Sequence, residues 1–321
     1  MSGHKPVLMT ETIDLLAPAS GGRYLDGTFG GGGHSRAILA ASGPDGRVLA
    51  LDADPDAIAR AESLRNDQSI GSRITFVHAN FADLAEIAKA NGFVPVDGVL
   101  LDLGLSSFQL DQADRGFAFR FDAPLDMRFD PTTGVPASEL VNLASEAELA
   151  TLIFEYGEEQ KSRRIAKGIV RERSKAPISS TAELARVVSE AVGGRRGADT
   201  HPATRTFQAL RIATNREFEA LELALAGAVE ILKPGARMAV ISFHSLEDRI
   251  VKRFMQRESA NCICPPDQPI CTCDHQARLI RVTRQAVKPS AAEIADNPRS
   301  RSAVLRVGER LPEPAGRGDA R

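Results

Sequence analysis

The chain contains little cysteine and few aromatic residues. Its 321 residues include four cysteines and no tryptophan, and aromatic residues make up only 5% of the total. All four cysteines lie between residues 262 and 273, so a network of disulfides cannot span the fold. Small disulfide-stabilised secreted domains are therefore excluded, and the pattern is typical of a protein of the reducing cytoplasm.

The sequence also lacks long hydrophobic runs. No stretch approaches the roughly 18 apolar residues of a membrane-spanning helix, and residues 1–5 do not begin a signal-peptide core. With 43% hydrophobic and 26% charged residues, the composition is that of an ordinary globular protein with a sizeable core. We expect a cytoplasmic protein with no membrane partner, present as a monomer or homodimer.

A formal net charge of −2 conceals an uneven charge distribution. Residues 1–150 carry 11 Lys and Arg against 21 Asp and Glu, a balance of −10. Residues 151–321 carry 29 against 21, a balance of +8. Such asymmetry favours a polyanionic partner on the basic side, and an unevenly charged solvated surface is the alternative.

The first hundred residues alternate predicted strands and helices. Continuous apolar runs at 48–51 and 99–101 are typical of buried parallel strands. The predicted strands here are 22–26, 47–52, 74–79 and 96–103, and the predicted helices are 34–42, 55–66 and 81–91. This alternation predicts an open, doubly wound, mostly parallel α/β sheet that binds ligands at the carboxyl ends of its strands.

The alternation is interrupted in the middle of the chain. Residues 105–135 are predicted as loop, and residues 137–192 have helical patterning without a strand. We therefore predict an inserted all-helical substrate-recognition domain at 107–208. The pattern of the sheet then resumes with a helix that ends at Lys233-Pro234-Gly235 and strands at 237–243, 279–282 and 302–310.

The predicted organisation is thus a seven-stranded sheet domain in two parts, residues 1–106 and 209–310, around the helical insertion. Residues 311–321 contain Pro and Gly and are predicted to form a disordered tail.

A glycine-rich turn joins the first predicted strand to the first predicted helix, and it reads Asp26-Gly27-Thr28-Phe29-Gly30-Gly31-Gly32-Gly33-His34. Glycines let backbone N–H groups approach a ligand closely, and a helix N-terminus offers unpaired donors. The dinucleotide pattern G-x-G-x-x-G fails because position 35 is Ser, and no Gly-Lys-Ser/Thr follows for a phosphate loop. The carboxylate of Asp26 would repel a pyrophosphate but accept hydrogen bonds from an ammonium group, which favours S-adenosylmethionine. A turn without a ligand is the alternative.

Acidic residues also end the second and fourth predicted strands. Asp52 comes 19 residues after Gly33, where a carboxylate can accept hydrogen bonds from both ribose hydroxyls of a nucleotide-type cofactor. Asp54 is predicted instead to cap the helix that starts at Pro55. Asp102 ends the fourth strand, where cofactor and target are expected to meet, and we predict that it also contacts the cofactor.

Eight segments occur in order along nearly the whole chain: 4–8, 26–35, 100–107, 115–117, 124–128, 201–211, 242–249 and 298–302. Together they resemble the bacterial 16S ribosomal RNA cytosine-N4 methyltransferase family. The resemblance implies a sheet of the S-adenosylmethionine-dependent methyltransferase type with an inserted helical domain. It also implies a target in the decoding region and an assembled small ribosomal subunit as substrate.

The resemblance completes the predicted cofactor site. Gly32, Gly33 and His34 lie at the turn into the first helix, where the methionine end of the cofactor is expected, although His34 could instead face solvent. Phe81 follows the third strand; the resemblance assigns it to the adenine face, and a core phenylalanine is the alternative. Gln109 is carried over from the family's cofactor contacts alone.

Methylation of the exocyclic amine of cytosine requires attack by a nitrogen whose lone pair is delocalised into the ring. An acceptor for its N–H helps by localising that lone pair. The Pro-Pro-aromatic turn of many amino methyltransferases is absent, because the turn here reads Asp102-Leu103-Gly104-Leu105. The catalytic residue is therefore left unassigned: Asp102 is the first candidate, and Asp126 and His244 are weaker ones. Methylation of cytosine at carbon 5 needs a thiolate that adds to the ring. No cysteine precedes residue 262, so none is near the predicted strand ends of the site and this chemistry is excluded.

A basic strip in the helical part predicts contact with RNA. It comprises Lys161, Arg163, Arg164, Lys167, Arg171, Arg173 and Lys175, with only Glu172 against them. Phosphate contacts would supply affinity while the pocket of the α/β part reads one extruded base. A solvated helix face is the alternative for any single residue.

Two Cys-x-Cys pairs, Cys262 with Cys264 and Cys271 with Cys273, lie close together in the sequence. Four thiolates on one loop could form a zinc site, and reduced surface thiols are the alternative. No metal is assigned to the catalytic site. Two other functions stay open: methylation of DNA or another RNA, and a nucleic-acid-binding factor that keeps the fold without activity.

Overall fold

The computed structural model describes residues 5–65, 67, 70–194, 201–268 and 270–313. It divides into two compact units, Met1–Gly104 with Glu219–Arg321, and Leu105–Phe218. Most of the predicted tail at 311–321 lies outside the described residues. Of its described part, the backbone N–H of Leu311 donates to the carbonyl of Arg278 at 2.8 Å.

A seven-stranded sheet organises the first unit. Its strands are β1 (Arg23–Asp26), β2 (Arg47–Asp52), β3 (Ile74–His78), β4 (Val96–Asp102), β5 (Leu232–Ser242), β6 (Leu279–Arg281) and β7 (Val304–Arg310). Their order is β3-β2-β1-β4-β5-β7-β6. Strands β1 to β5 pair in parallel, and β7 runs antiparallel to both of its neighbours. The predicted seven-stranded, mostly parallel sheet is confirmed.

The α-helices of the described residues alternate with the strands in the first unit and follow one another in the second. They are α1 (Met9–Leu16), α2 (Gly33–Ala41), α3 (Pro55–Arg65), α4 (Leu84–Ala90), α5 (Ser107–Asp111), α6 (Ala137–Leu143), α7 (Glu146–Gly157), α8 (Ser162–Arg173), α9 (Thr181–Val192), α10 (Thr204–Asn215), α11 (Glu217–Ile231), α12 (Ser245–Glu258) and α13 (Ala291–Asp296). None of the helices in the described part of the chain is long and apolar enough to span a membrane.

Both faces of the central strands are buried, which explains their continuous apolar runs. Successive side chains of a strand point to opposite faces of the sheet. Leu49 and Leu51 accordingly pack in one hydrophobic cluster with residues of α4 and α11. Val48 and Ala50 pack in the other, with residues of α2. Each fully buried leucine of this kind contributes roughly 1.5–3 kcal/mol to stability.

Strand order reverses on either side of β1, which lies between β2 and β4. Asp26 is in register with Ala50 on one side and Leu100 on the other. Asp52 and Asp102 end β2 and β4, so three acidic residues meet at the carboxyl edge of the sheet. In open α/β sheets, the crevice at such a reversal is where ligands bind.

Two local predictions differ from the structure. The predicted helix at 81–91 starts with a 3₁₀ turn, Phe81–Asp83, and only then continues as α4. Lys233-Pro234-Gly235 does not separate helix from strand, because β5 starts at Leu232 directly after α11. The three residues lie instead where the register of β4 against β5 shifts. Pro234 cannot donate to the ladder and Gly235 has φ +80°, and both are typical of a bulge.

The second unit, Leu105–Phe218, contains α5 to α10. Its core includes Leu149 and Ile153 of α7, Ile165 and Ile169 of α8, and Leu184 of α9. The predicted loop at 105–135 contains α5, a helix too short to produce a hydrophobic period in the sequence. The predicted boundary at 208 falls inside α10. The substrate-recognition role of this part stays a prediction.

Candidate active site at the carboxyl edge of the sheet

Asp26 organises the glycine-rich turn from within. Its Oδ1 accepts a hydrogen bond from the Thr28 N–H at 3.1 Å, and its Oδ2 accepts one from the Ser35 hydroxyl at 2.6 Å. Burial raises the pKa of Asp26, and the bonds from Ser35 and Thr28 oppose that rise. Both oxygens therefore hold the turn and the start of α2 against the end of β1, a role that the sequence did not predict.

The turn relies on glycine at specific positions. Gly30 and Gly32 have φ of +53° and +73°, in the left-handed region where glycine carries no steric penalty. Gly33 is required for a different reason, because a Cβ there would lie 2.1 Å from Cγ of Pro6. The close packing of Pro6 thus explains Gly33 without any ligand, whereas Gly30 and Gly32 set the path of the turn.

Asp52 holds the same turn from the neighbouring strand. Its Oδ2 accepts the Gly30 N–H at 2.7 Å, and its Oδ1 accepts the Asp54 N–H at 2.9 Å. Burial raises the pKa of Asp52 to about 6 against the lowering effect of these two bonds. A carboxylate has about four acceptor positions, so Asp52 keeps capacity for ribose hydroxyls. Asp54 accepts the Asp56 N–H at 3.1 Å and caps α3, as predicted.

Asp102 is tied to the turn but keeps one oxygen unused. Its backbone N–H donates to Oγ1 of Thr28 at 2.6 Å, and its Oδ2 lies 3.6 Å from Nε2 of His34. Although 22% of the side chain is exposed, Oδ1 is buried and has no hydrogen-bond partner among the described residues. Burial, with the charges of Asp26 and Glu247, raises the pKa of Asp102 to about 8.

An unsatisfied buried carboxylate oxygen costs stability unless something donates to it. Asp102 Oδ1 is therefore a position where an N–H or O–H of a ligand would be accepted. The remaining acceptor capacity of Asp52 and the turn at Gly30 and Gly32 separately fit a cofactor that carries a ribose and an amino-acid end.

His34 is buried within this edge of the sheet. His34 is the second residue of α2, and only 6% of its surface is exposed. The alternative that it faces solvent is therefore wrong. Its position beside Asp102 places it among the carboxylates that end β1, β2 and β4.

Phe81 lies next to the start of the glycine-rich turn. It is partly buried against the cluster that includes Leu49 and Leu51. A Cβ placed on Gly27 would come within 3.2 Å of the Phe81 Cβ. The side chain thus packs on the core, as the alternative predicted, and the residue borders the turn. The contact with adenine stays a prediction.

His244 and Glu247 complete the edge at the end of β5. His244 is the N-cap of α12, where Nδ1 accepts the Glu247 N–H at 3.4 Å and Nε2 lies 3.1 Å from Glu247 Oε1. Glu247 is 3% exposed, and its Oε2 accepts the Phe243 N–H at 2.8 Å. Position 244 thus has a clear structural function. The sequence analysis did not predict that Glu247 and Thr28 lie at this edge. Glu247 could have been found as an acid three residues after a helix N-cap.

Asp126 and Gln109 both belong to the unit Leu105–Phe218. Both oxygens of Asp126 accept from the guanidinium of Arg128, at 2.9 and 2.7 Å. Burial alone would raise the pKa of Asp126, but the bonds from Arg128 lower it below its usual value. Gln109 is buried and accepts the Ser106 N–H at 3.1 Å in a capping box of α5. The cofactor contact of Gln109 stays a prediction.

The structure divides the predicted basic strip into two groups. Arg173 donates to the carbonyl of Val141 at 2.7 Å, and Lys175 pairs with Glu172 at 2.8 Å, so these two are used inside the unit. Lys161 donates to the carbonyl of Val192. Four exposed side chains have no ion pair with any described residue, and they are Arg163, Arg164, Lys167 and Arg171. These four, the basic face of α8, are the ones available to a polyanion.

Comparison with known proteins gives the family. A sequence model of the MraW methylase family matches residues 1–311. A protein of Thermomicrobium roseum named ribosomal RNA small subunit methyltransferase H is 57% identical over 308 residues, covering 96% of this chain and 94% of that protein. Proteins of the same name from Dehalococcoides mccartyi and Syntrophotalea carbinolica are 52% and 50% identical, covering 97% and 96% of this chain and 87% and 98% of their own. The chain therefore belongs to the MraW methylase family, and it is a methyltransferase whose cofactor is S-adenosylmethionine.

Proposed function

We propose that the protein methylates 16S ribosomal RNA of the small subunit, and that its target is the exocyclic N4 of a cytidine in the decoding region. The names of the relatives support the ribosomal RNA substrate. The observation that supports the N4 target is the buried Oδ1 of Asp102, which has no hydrogen-bond partner among the described residues. An exocyclic amine supplies the donor that this oxygen lacks.

The residues of the first unit divide the work of holding the cofactor, which supplies an electrophilic methyl group when it is bound. Asp52 would accept the ribose hydroxyls with the acceptor positions that Gly30 and Asp54 leave open. The turn at Gly32 and Gly33 leads into α2 and would receive the amino-acid end. Phe81 would cover the adenine.

Asp102 would act on the target amine. Accepting an N–H bond localises the lone pair of the amine, and a carboxylate then takes the proton that the amine loses on methylation. The pKa of Asp102, raised to about 8, favours this second task, because a base whose pKa lies near the working pH accepts a proton effectively. His34, 3.6 Å from the other carboxylate oxygen, would help to orient the side chain.

The helical unit Leu105–Phe218 would bind the RNA. The basic face of α8, formed by Arg163, Arg164, Lys167 and Arg171, is exposed and carries no competing ion pair within the described residues. Contacts of such side chains with phosphates give salt-dependent affinity without reading sequence. Selection of one cytidine then depends on the pocket at the sheet edge, which requires the base to be extruded.

The test is to incubate small ribosomal subunits that lack the modification with S-adenosylmethionine carrying a labelled methyl group. Nucleoside digestion should place the label in N4-methylcytidine, and mapping should place it in the decoding region of the 16S RNA. Label in a different nucleoside would contradict the N4 assignment. Transfer to naked 16S RNA but not to assembled subunits would contradict the subunit as substrate, and transfer to DNA would favour the rival substrate.

A further inference from the structure

All four cysteines of the chain lie on the connection between α12 and β6, and none of them is used in the proposed mechanism. Cys262 and Cys271 are exposed, and Cys264 and Cys273 are partly exposed. Hydrophobic burial therefore does not explain why they converge. The neighbouring Ile263 and Ile270 are also 40% and 74% exposed, so these isoleucines do not form a buried core around the cysteines.

The four sulfur atoms form one compact group. All of them lie within 4.8 Å of one another. Sγ of Cys273 is 3.6 Å from that of Cys271 and 3.9 Å from that of Cys262. A tetrahedral zinc ion with Zn–S bonds of about 2.3 Å places its sulfur ligands roughly 3.8 Å apart. A disulfide would require about 2.05 Å, so these contacts are not disulfides.

The backbone donates to the sulfurs in a reciprocal way. The N–H of Ile263, in the middle of the first pair, points to Sγ of Cys273 at 3.4 Å. The N–H of Thr272, in the middle of the second pair, points to Sγ of Cys264 at 3.5 Å. Such N–H bonds stabilise negative charge on thiolate sulfurs. Metal sites in proteins commonly have hydrogen bonds of this kind to their ligand atoms.

Both ends of the connection are anchored. The N–H of Arg278 donates to the carbonyl of Glu258 at 2.8 Å, and its guanidinium pairs with the buried Glu258 carboxylate at 2.6 Å. The His275 ring contacts the carbonyl of Arg257 at 2.9 Å, so it is engaged there and is not needed as a ligand. The anchored ends and the backbone bonds between the two pairs therefore hold the four thiols in one group.

We propose that Cys262, Cys264, Cys271 and Cys273 bind one Zn²⁺ ion as a closed structural site. Thiolate sulfur is a soft ligand that suits zinc, whereas Mg²⁺ and Ca²⁺ prefer oxygen. Four protein ligands leave no open position for a substrate, so the site stabilises the connection from α12 to β6 and takes no part in methyl transfer. Binding replaces each thiol proton by the metal, and the protons pass to solvent.

The test uses the full chain, purified in the presence of a thiol reductant and without chelator. Elemental analysis should find about one equivalent of zinc per chain in the wild type and less than about a tenth in the double variant Cys264→Ser/Cys273→Ser. The matched control is Thr272→Val, which keeps the backbone donor to Cys264 and removes no thiol; it should retain the zinc.

A second measurement does not depend on the variant folding. Blocking the wild-type thiols with a mercurial should release zinc, detected with a chromogenic chelator, in proportion to four thiols for each ion. Substitution by Co²⁺ should give the visible absorption of a tetrahedral thiolate complex. Zinc that persists in the double variant, a wild type that takes up none, iron in its place, or disulfides found by mass spectrometry would each overturn the proposal.

Discussion

Nε2 of His34 and Oδ2 of Asp102 lie 3.6 Å apart, although one residue follows β1 and the other ends β4. The contact joins the helix that starts after the glycine-rich turn to the strand end that carries the proposed acceptor. The other oxygen, Oδ1, is buried and has no hydrogen-bond partner among the described residues. The two oxygens of one carboxylate therefore have different surroundings, and the role proposed for Asp102 can be tested.

Asp102→Asn keeps the shape of the side chain but removes its capacity to take a proton. We expect kcat to fall by roughly 10²- to 10⁴-fold, the usual contribution of a positioned acid or base. Affinity for S-adenosylhomocysteine, measured by calorimetry, should change much less. A variant with near-normal kcat would contradict the proposed role of Asp102 and leave it a binding residue only.

The raised pKa of Asp102 predicts two effects of pH. Activity needs the carboxylate, so kcat/KM of the wild type should rise with pH and level off above about 8.

The folded state holds the Asp102 proton more tightly than an unfolded aspartate does, whose pKa is about 3.9. Stability contributed by the group is therefore lost as pH rises from about 4 to about 8. Asp102→Asn has no such proton to lose. The Tm of this variant should therefore rise relative to the Tm of the wild type as the pH is raised from about 4 to about 8. A difference in Tm that stays the same at every pH would contradict the raised pKa.

Asp52→Asn tests the ribose acceptor. The amide weakens the bonds that Gly30 and Asp54 donate and removes a charged acceptor from the pocket. Hydrogen bonds to charged groups contribute about 1.5–3 kcal/mol each, so we expect affinity for S-adenosylhomocysteine to fall at least about tenfold. The matched control is Asp45→Asn, on an exposed turn, which should bind normally. Equal affinity of both variants would exclude Asp52 as a cofactor ligand.

Reversal of charge on α8 tests the RNA surface. The double variant Arg163→Glu/Arg164→Glu should bind small-subunit RNA more weakly while its cofactor affinity holds, since both side chains are exposed. The slope of log K against log salt should become shallower by about 1.4 for two lost contacts with single-stranded phosphates. Lys89→Glu, on α4, is the control for a general charge effect. Unchanged RNA affinity in the double variant would remove this face from the proposal.

Gly33→Ala tests whether position 33 needs glycine because it packs against Pro6 or because a ligand binds there. A methyl group there meets Pro6 Cγ, so we expect a loss of roughly 1–3 kcal/mol in unfolding free energy. Gly308→Ala, whose Cβ would have only ordinary contacts from 3.5 Å, is the control. Combining Gly33→Ala with Pro6→Ala should recover much of the loss, because the two positions are coupled through one clash. Additive losses would contradict that explanation.

Residues at the ends of strands were the most predictable part of the site. Asp52 and Asp102 follow continuous apolar runs, and such runs indicate a strand buried on both faces. The glycine-rich turn after β1 indicated a cradle from its composition alone. Phe81 and Gln109 came instead from family resemblance, since no periodicity separates a ligand contact from a core phenylalanine or a helix-capping glutamine.

The sequence by itself determined the parallel sheet, the acidic strand ends and the glycine-rich turn, because each depends on residues adjacent in the chain. Only the tertiary structure decided that Gly33 accommodates Pro6, that Arg173 and Lys175 are already engaged, and that four cysteines converge. It also buried Asp102 and placed Asp26 and Glu247 near it, which together raise the pKa of Asp102. Steric contact, ion pairing and charge repulsion depend on distances in space, and folding sets those distances between residues that lie far apart in the chain.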